Sequence, residues 1–338
     1  MTRRLLLLAA AVLLVSCGGD KGKDHATTFR NRGNPLFRDA FTADPAPMVA
    51  SDGRLYVFCG HDQQYDDKPG YEGKGGYNLT EWLCYSTDDM QDWTIHGAVL
   101  KPTDFSWAEG DACASQCIEA DGKFYFYVST LSRDQGCKAI GVAVADHPEG
   151  PYTDVIGRAL VLDTLSENGP EGGWSASAPT VFLDDDGTPW LCWGYGRCFL
   201  ARLKRNMTEL DGEIRSLPLE NYLEAPWLYK HGGRYYLAYT SMGTGRENLS
   251  YSIAASVQGP WEYKGPLTGM AEDSFTIHSG IVDFGGKSYL FYHNGTLSLD
   301  GYGPSTGRRS VCVDELMYTA DGSIRPVEQT RAGVSENY

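Results

Sequence analysis

The chain has 338 residues and a formal net charge of −15. An acidic surface repels phosphate backbones, which excludes nucleic acid as a natural partner and leaves neutral substrates open. With 21 Tyr, 12 Phe, 8 Trp and 40 Gly, the composition points to aromatic strands joined by tight turns, an all-β fold.

Arg3 and Arg4 precede an apolar run from Leu5 to Val15, followed by Ser16 and Cys17. The run is short for a bilayer span and reads as a secretory leader. LVSC (14–17) resembles a bacterial lipobox, in which the cysteine becomes the lipidated first residue. Residues 1–16 are therefore expected to be a lipoprotein signal peptide and 17–33 a polar, flexible tether. Residues 34–338 are expected to form the folded domain, a monomer at the bacterial cell envelope whose membrane attachment is the lipid on Cys17. Eight further cysteines show no CxxC spacing and mostly sit in apolar runs. Buried free thiols are expected there, over disulfides or a zinc site.

Five stretches then share one pattern: RLYVFCG (54–60), KFYFYVS (123–129), TPWLCWG (188–194), RYYLAYT (234–240) and KSYLFYH (287–293). Each follows a turn pair: Asp52-Gly53, Asp121-Gly122, Asp186-Gly187, Gly232-Gly233 and Gly285-Gly286. Such pairs supply the positive φ of a tight hairpin. A short apolar strand precedes every turn, and a third strand often follows. A single hairpin cannot bury both faces, so repeated sheets stack around an axis. The expected fold is a five-bladed β-propeller, with a two-sheet sandwich as the alternative.

In a propeller the first strand of each blade lies nearest the axis. Counting nine positions back from the turn glycine gives Asp44, Cys113, Ala178, Glu224 and, in the fifth blade, Ile277 next to His278. Two acids from distant parts of the chain are thus expected to face each other across one central pocket. Opposed carboxylates suit glycoside hydrolysis, one deprotonating water and the other protonating the departing oxygen.

At these residues the chain resembles glycoside hydrolase family 43, in its arabinofuranosidase and β-xylosidase branch. The resemblance rests on NPLFRDAFTADPAPMV (34–49), RLYVFCGHD (54–62), FSWAEGDACASQCIE (105–119), IGVAVADHPEGPY (140–152), APTVFLDDDG (178–187), EAPWLYKHGGRYYLAY (224–239), SFTIHSGIVDF (274–284) and GRRSVCVDEL (307–316). It implies an inverting hydrolase removing arabinofuranosyl or xylosyl units from arabinoxylan-like polysaccharide or its oligosaccharides. Asp44 matches the general base and Glu224 the general acid. His278 matches an axial histidine associated, through water, with calcium or sodium, and no organic cofactor is implied. Arg308 and Arg309 alternate on a strand, so one at most faces the pocket, where it would hold Glu224 or a sugar hydroxyl. Trp107 is a candidate sugar-stacking surface. His61 and Asp62 are candidates for the pocket rim, and the long insertion 63–80 for shaping access.

Two positions depart from the family pattern. The third family acid, which raises the proton affinity of the catalytic glutamic acid, is here Ala178 in Ala178-Pro179-Thr180. Cys113 stands where a tryptophan is usual. A weakened enzyme acting as a non-catalytic carbohydrate-binding propeller is therefore the alternative function. Asp163, Glu167 and Glu171 are candidates to replace the missing acid, whereas Asp184 to Asp186 should lie at the far turn of the same strand.

Overall fold

The structure is a computed structural model, described here for residues 27–63, 77–163, 174–336 and 338. Its first blade contains β1 (Thr27–Arg30), β2 (Thr42–Val49), β3 (Leu55–Asp62), β4 (Leu79–Thr87) and β5 (Asp92–Leu100), in spatial order β1-β5-β4-β3-β2. The second contains β6 (Ser115–Ala120), β7 (Lys123–Leu131), β8 (Lys138–Ala145) and the short β9 (Thr153–Asp154) and β10 (Val161–Leu162). In the third, β11 (Thr180–Leu183), β12 (Pro189–Trp193), β13 (Cys198–Leu203) and β14 (Leu210–Leu217) follow in simple order. So do β15 (Glu224–His231), β16 (Arg234–Met242), β17 (Glu247–Ala254) and β18 (Glu262–Thr268) in the fourth. The fifth is a three-stranded sheet of β19 (Gly280–Phe284), β20 (Lys287–Asn294) and β21 (Ser310–Leu316).

The first strands of the hairpins make the axis. β2 packs on β6, β6 on β11, β11 on β15, β15 on β19, and β19 returns to β2. This closed ring is the five-bladed β-propeller that the repeats predict. At the closing joint the backbones approach so closely that a Cβ at Gly280 would stand 2.3 Å from Pro47 Cδ, so only glycine fits there. The aromatic second strands fill the space between blades. Phe58 of β3 packs against Phe126 of β7 with ring centroids 4.9 Å apart. Burying one such phenylalanine contributes roughly 1.5–3 kcal/mol. The eight described cysteines are all free, and only Cys113 is not fully buried.

The ring is also tied by the segment before β2. Asn34 accepts from Val313 N–H at 2.9 Å and donates to the Val313 and Thr330 carbonyls, while Leu36 N–H reaches the Val311 carbonyl. The tether expected over 17–33 is therefore too long. Thr27–Arg30 pairs with β5 as the outermost strand of the first blade, and Asn31 is buried. Cys17 and the leader lie outside the described residues.

Turn length changes one detail of register. In the first and third blades the turn closes with Ala50 N–H on Arg54 O and Asp184 N–H on Thr188 O. In the others, Ala120 pairs with Lys123, His231 with Arg234 and Phe284 with Lys287, which are tighter loops. Measured from these last paired residues, the equivalent positions are Asp44, Ala114, Ala178, Ala225 and His278. Counting from the turn glycine slips by one in three blades. His278, not Ile277, is thus the counterpart of Asp44, and Glu224 enters from one residue earlier. All five equivalents line one small axial cavity.

Candidate active site

Asp44, Ala178 and Ala225 each precede a proline and each has a positive φ, of 54°, 50° and 50°. This conformation costs a non-glycine residue roughly 1–2 kcal/mol. β-Bulges accompany two of them, between Ala43 and Ala46 and between Glu224 and Trp227. A bulge re-aims side chains at a strand end, and here Asp44 and Glu224 turn into the same pocket. That pocket, of about 520 Å³, opens at the mouth of the axis. Its size suits a small ligand. Asp44, Ala178, Glu224, His278 and Arg309 line it together with Tyr77, Asp111, Cys113, Lys138 and Trp174.

His278 lies between the two acids. Its Nδ1 is 2.9 Å from Asp44 Oδ1 and its Nε2 is 3.5 Å from Glu224 Oε1. Neither nitrogen is aligned for a regular hydrogen bond, so the contacts are chiefly charge with charge. Burial opposes a charge on His278, but Asp44 and Glu224 outweigh it and hold the imidazolium well above its ordinary range. The ring and its two contacts cap the separation of the carboxylate oxygens at about 9 Å. That limit admits the roughly 6.5–9.5 Å opening through which an inverting enzyme passes water.

Asp44 is 5 % exposed, and burial by itself would disfavour its charge. Arg309, His278 and His293 reverse that and hold its carboxyl well below the usual carboxylate range. Arg309 Nη1 donates to Asp44 Oδ1 at 3.2 Å, its guanidinium lies 3.9 Å from the Tyr77 ring centre, and Asp62 clamps its Nε and Nη2 at 2.8 and 3.0 Å. The Asp44 backbone N–H donates to His293 Nδ1 at 3.1 Å, while His293 Nε2 faces the Thr276 carbonyl at 3.0 Å. This pattern assigns the neutral tautomer with its proton on Nε2. Burial and the Arg309 charge also push the His293 pKa well below its ordinary value.

Several expected residues stand elsewhere. Asp62 is fully buried behind Arg309 and is not at the rim. His61 pairs with Glu81 at 3.0 Å and is absent from the pocket lining. Arg309 is the arginine that faces the pocket, but it holds Asp44 and Asp62 instead of Glu224. Arg308 lies outside, against the Tyr302 and Phe41 rings. Trp107 donates to Asp154 at 3.2 Å and packs on Phe105, away from the pocket. The exposed aromatic on the pocket wall is Trp174, with Lys138 Nζ 4.7 Å from its ring centre. Lys138 in turn reaches Asp111 at 3.0 Å and Cys113 Sγ at 3.1 Å. Asp163 accepts from Ser175 N–H at 2.7 Å. Glu167 and Glu171 lie outside the described residues, as do residues 64–76 of the insertion. Asp184 is at the far turn, where it accepts from Tyr235 at 2.7 Å.

Glu247, which no sequence motif marked, is the further acid beside Glu224. One donor atom each from Glu224, Glu247 and His278 lie within 4.8 Å of one another, a spacing that could hold a metal ion. The donor set does not fit calcium or sodium bound directly. Hard cations take roughly six to eight oxygens, whereas the trio offers two carboxylates and a ring whose nitrogens both face anions. The small axial cavity beside His278 is also lined by Ser115 and Ser279, whose hydroxyls are buried without a protein partner.

The family model for glycosyl hydrolases family 43 matches residues 33–324. The chain belongs to glycosyl hydrolase family 43. Among its relatives, a β-xylosidase from Xylanibacter ruminicola is 30% identical over 87% of this family 43 chain and 98% of its own. An arabinoxylan arabinofuranohydrolase from Paenibacillus polymyxa is 28% identical over 90% of this chain, which spans only 52% of that relative's length. A solved family 43 enzyme from Xanthomonas citri, complexed with xylotriose, has a TM-score of 0.74 at 27% identity, covering 92% of this chain and 97% of its own. Family 43 chemistry needs no organic cofactor, and the family assignment supports a glycosidase.

Proposed function

We propose that this glycosidase releases terminal arabinofuranosyl or xylosyl units from arabinoxylan-like chains with inversion, Asp44 serving as base and Glu224 as acid. The observation that carries the reading is the shared pocket, in which both carboxylates flank one histidine. Asp44, ionised at every working pH, orients a water and accepts its proton as the water oxygen bonds the anomeric carbon. Glu224 gives a proton to the glycosidic oxygen as that bond breaks. Each role is worth about 10²–10⁴-fold. Arg309 and His293 fix Asp44 and need not touch the sugar. The names of the relatives support arabinose- and xylose-containing substrates. The leader and Cys17 support a lipid-anchored protein at the cell envelope.

Ala178 favours a second reading, a propeller that binds sugar without cleaving it. Incubating the purified protein with aryl α-L-arabinofuranoside, aryl β-D-xyloside and arabinoxylan separates the two. Turnover that Glu224→Gln lowers by about 100-fold or more supports the hydrolase. Sugar binding with no turnover supports the binder.

A further inference from the structure

Glu247 is the first residue of β17, one hairpin removed from Glu224 on β15. It is buried, at 3 % exposure, and it is absent from the pocket lining. Its backbone N–H donates to the Phe275 carbonyl at 3.1 Å, and its Oε2 accepts from the Ile277 N–H at 3.1 Å. The carboxyl is thus fixed against the loop that carries His278, within 4.8 Å of both Glu224 and His278. Thr240 of the intervening strand donates to the Ile277 carbonyl at 2.7 Å and locks the same loop. The environment supplies Glu247 with one backbone donor and sets it against another acid. A buried carboxylate and a half-buried one at this distance resist ionising together.

We propose that Glu247 takes the place of the acid missing at Ala178 and keeps on the Glu224–Glu247 pair the proton that Glu224 delivers. This deepens the hydrolase reading and rests on it. In the reactive arrangement the proton is on a Glu224 oxygen and Glu247 is ionised beside it. Negative charge at Glu247 then opposes premature loss of that proton, the effect an aspartate at 178 would have. When the bond from the anomeric carbon to the glycosidic oxygen breaks, the proton leaves with that oxygen. The water oxygen bonds the anomeric carbon and its proton goes to Asp44. Solvent afterwards returns a proton to the pair and removes the one on Asp44. Burial first, and then the charge of Glu224, push the Glu247 carboxyl up to about 8, with His278 and the Ile277 N–H opposing. The charged and titratable groups around the pair are His278 from the loop before β19, Tyr222 from the loop before β15, Tyr77, and, beyond His278, Asp44 and Arg309. Glu247 is a positioning residue, since it does not line the pocket.

The test compares the pH dependence of kcat/KM on aryl α-L-arabinofuranoside or aryl β-D-xyloside for the wild type, Glu247→Gln, Ala178→Asp and the double variant. Glu247→Gln keeps the acceptor for Ile277 N–H, so the loop survives. It is expected to move the alkaline limb down by about one pH unit or more and to lower kcat at pH 7 by about 10–100-fold, with KM little changed. Ala178→Asp should recover the limb in the double variant. An alkaline limb identical in Glu247→Gln and wild type overturns the proposal. A second measurement does not depend on turnover. In carbon-13 glutamate-labelled protein, one carboxyl should titrate near pH 8 and move down in Glu224→Gln. If no carboxyl does so, or if Glu224→Gln leaves it unmoved, the pair does not exist. A protein that turns over neither glycoside yet shows the coupled carboxyl would overturn the hydrolase reading while keeping the pair.

Discussion

Arg309 Nη1 donates to Asp44 Oδ1 at 3.2 Å while the rest of the guanidinium is spent on Asp62. One cation thus serves two buried carboxylates contributed by β2 and β3, and it comes from the residue just before β21. The first and fifth blades are locked together at the point where the pocket is built. Stability and the ionised state of Asp44 depend on the same three groups.

Asp62→Asn removes a charge that never meets solvent and leaves Arg309 with half its counter-charge. Breaking a buried pair from one side costs about 3–5 kcal/mol. Denaturant unfolding should show a loss of that order, and kcat should fall although Asp62 cannot touch a sugar. An unchanged midpoint would show that the pair contributes nothing to the fold.

Glu247→Gln should make the protein more stable above acidic pH. The folded-state carboxyl is raised from 4.5 to about 8. Between those values the folded form binds more protons than the unfolded one, so wild-type stability falls as pH rises through that window. The contribution is fully present below about 4.5 and lost above about 8. Thermal unfolding from pH 4 to 9 should show the variant with a flatter profile and a higher midpoint at pH 8. A variant equally or less stable there would contradict the assignment.

Trp174 is 49 % exposed on the pocket wall, whereas Trp107 is packed and hydrogen-bonded elsewhere. Trp174→Ala should raise KM by roughly 5–10-fold, the equivalent of about 1 kcal/mol of aromatic contact, with little effect on unfolding. Trp107→Phe should do the reverse, costing about 1 kcal/mol of stability for the lost Asp154 bond and leaving KM unchanged. Steady-state kinetics and denaturant unfolding on both variants decide between the two tryptophans.

The contrast shows what the chain makes legible. Aromatic strands after Gly-containing turns declare the blades, because β-propensity and turn chemistry act locally. The opposition of Asp44 and Glu224 follows from their places at the entry of inner strands. The one-residue slip arose because turn length, which sets register, differs among blades and is not visible in the glycine alone. The alternation of Arg308 and Arg309 says that one points inward, but only the neighbouring blade, through Asp62, decides which. Glu247 carried no signal at all. It opens a third strand, outside the repeated motif, and its role comes from a loop that reaches it across the sheet. Trp174 follows a stretch with no repeat to anchor it, so nothing local placed it on the wall.

The most direct measurement is the anomeric configuration of the first-formed sugar, followed by proton NMR during turnover of an aryl arabinofuranoside or xyloside. The account predicts an inverted product from the wild type and at least about 100-fold slower release from both Asp44→Asn and Glu224→Gln. A retained product, or full activity in either variant, would contradict it.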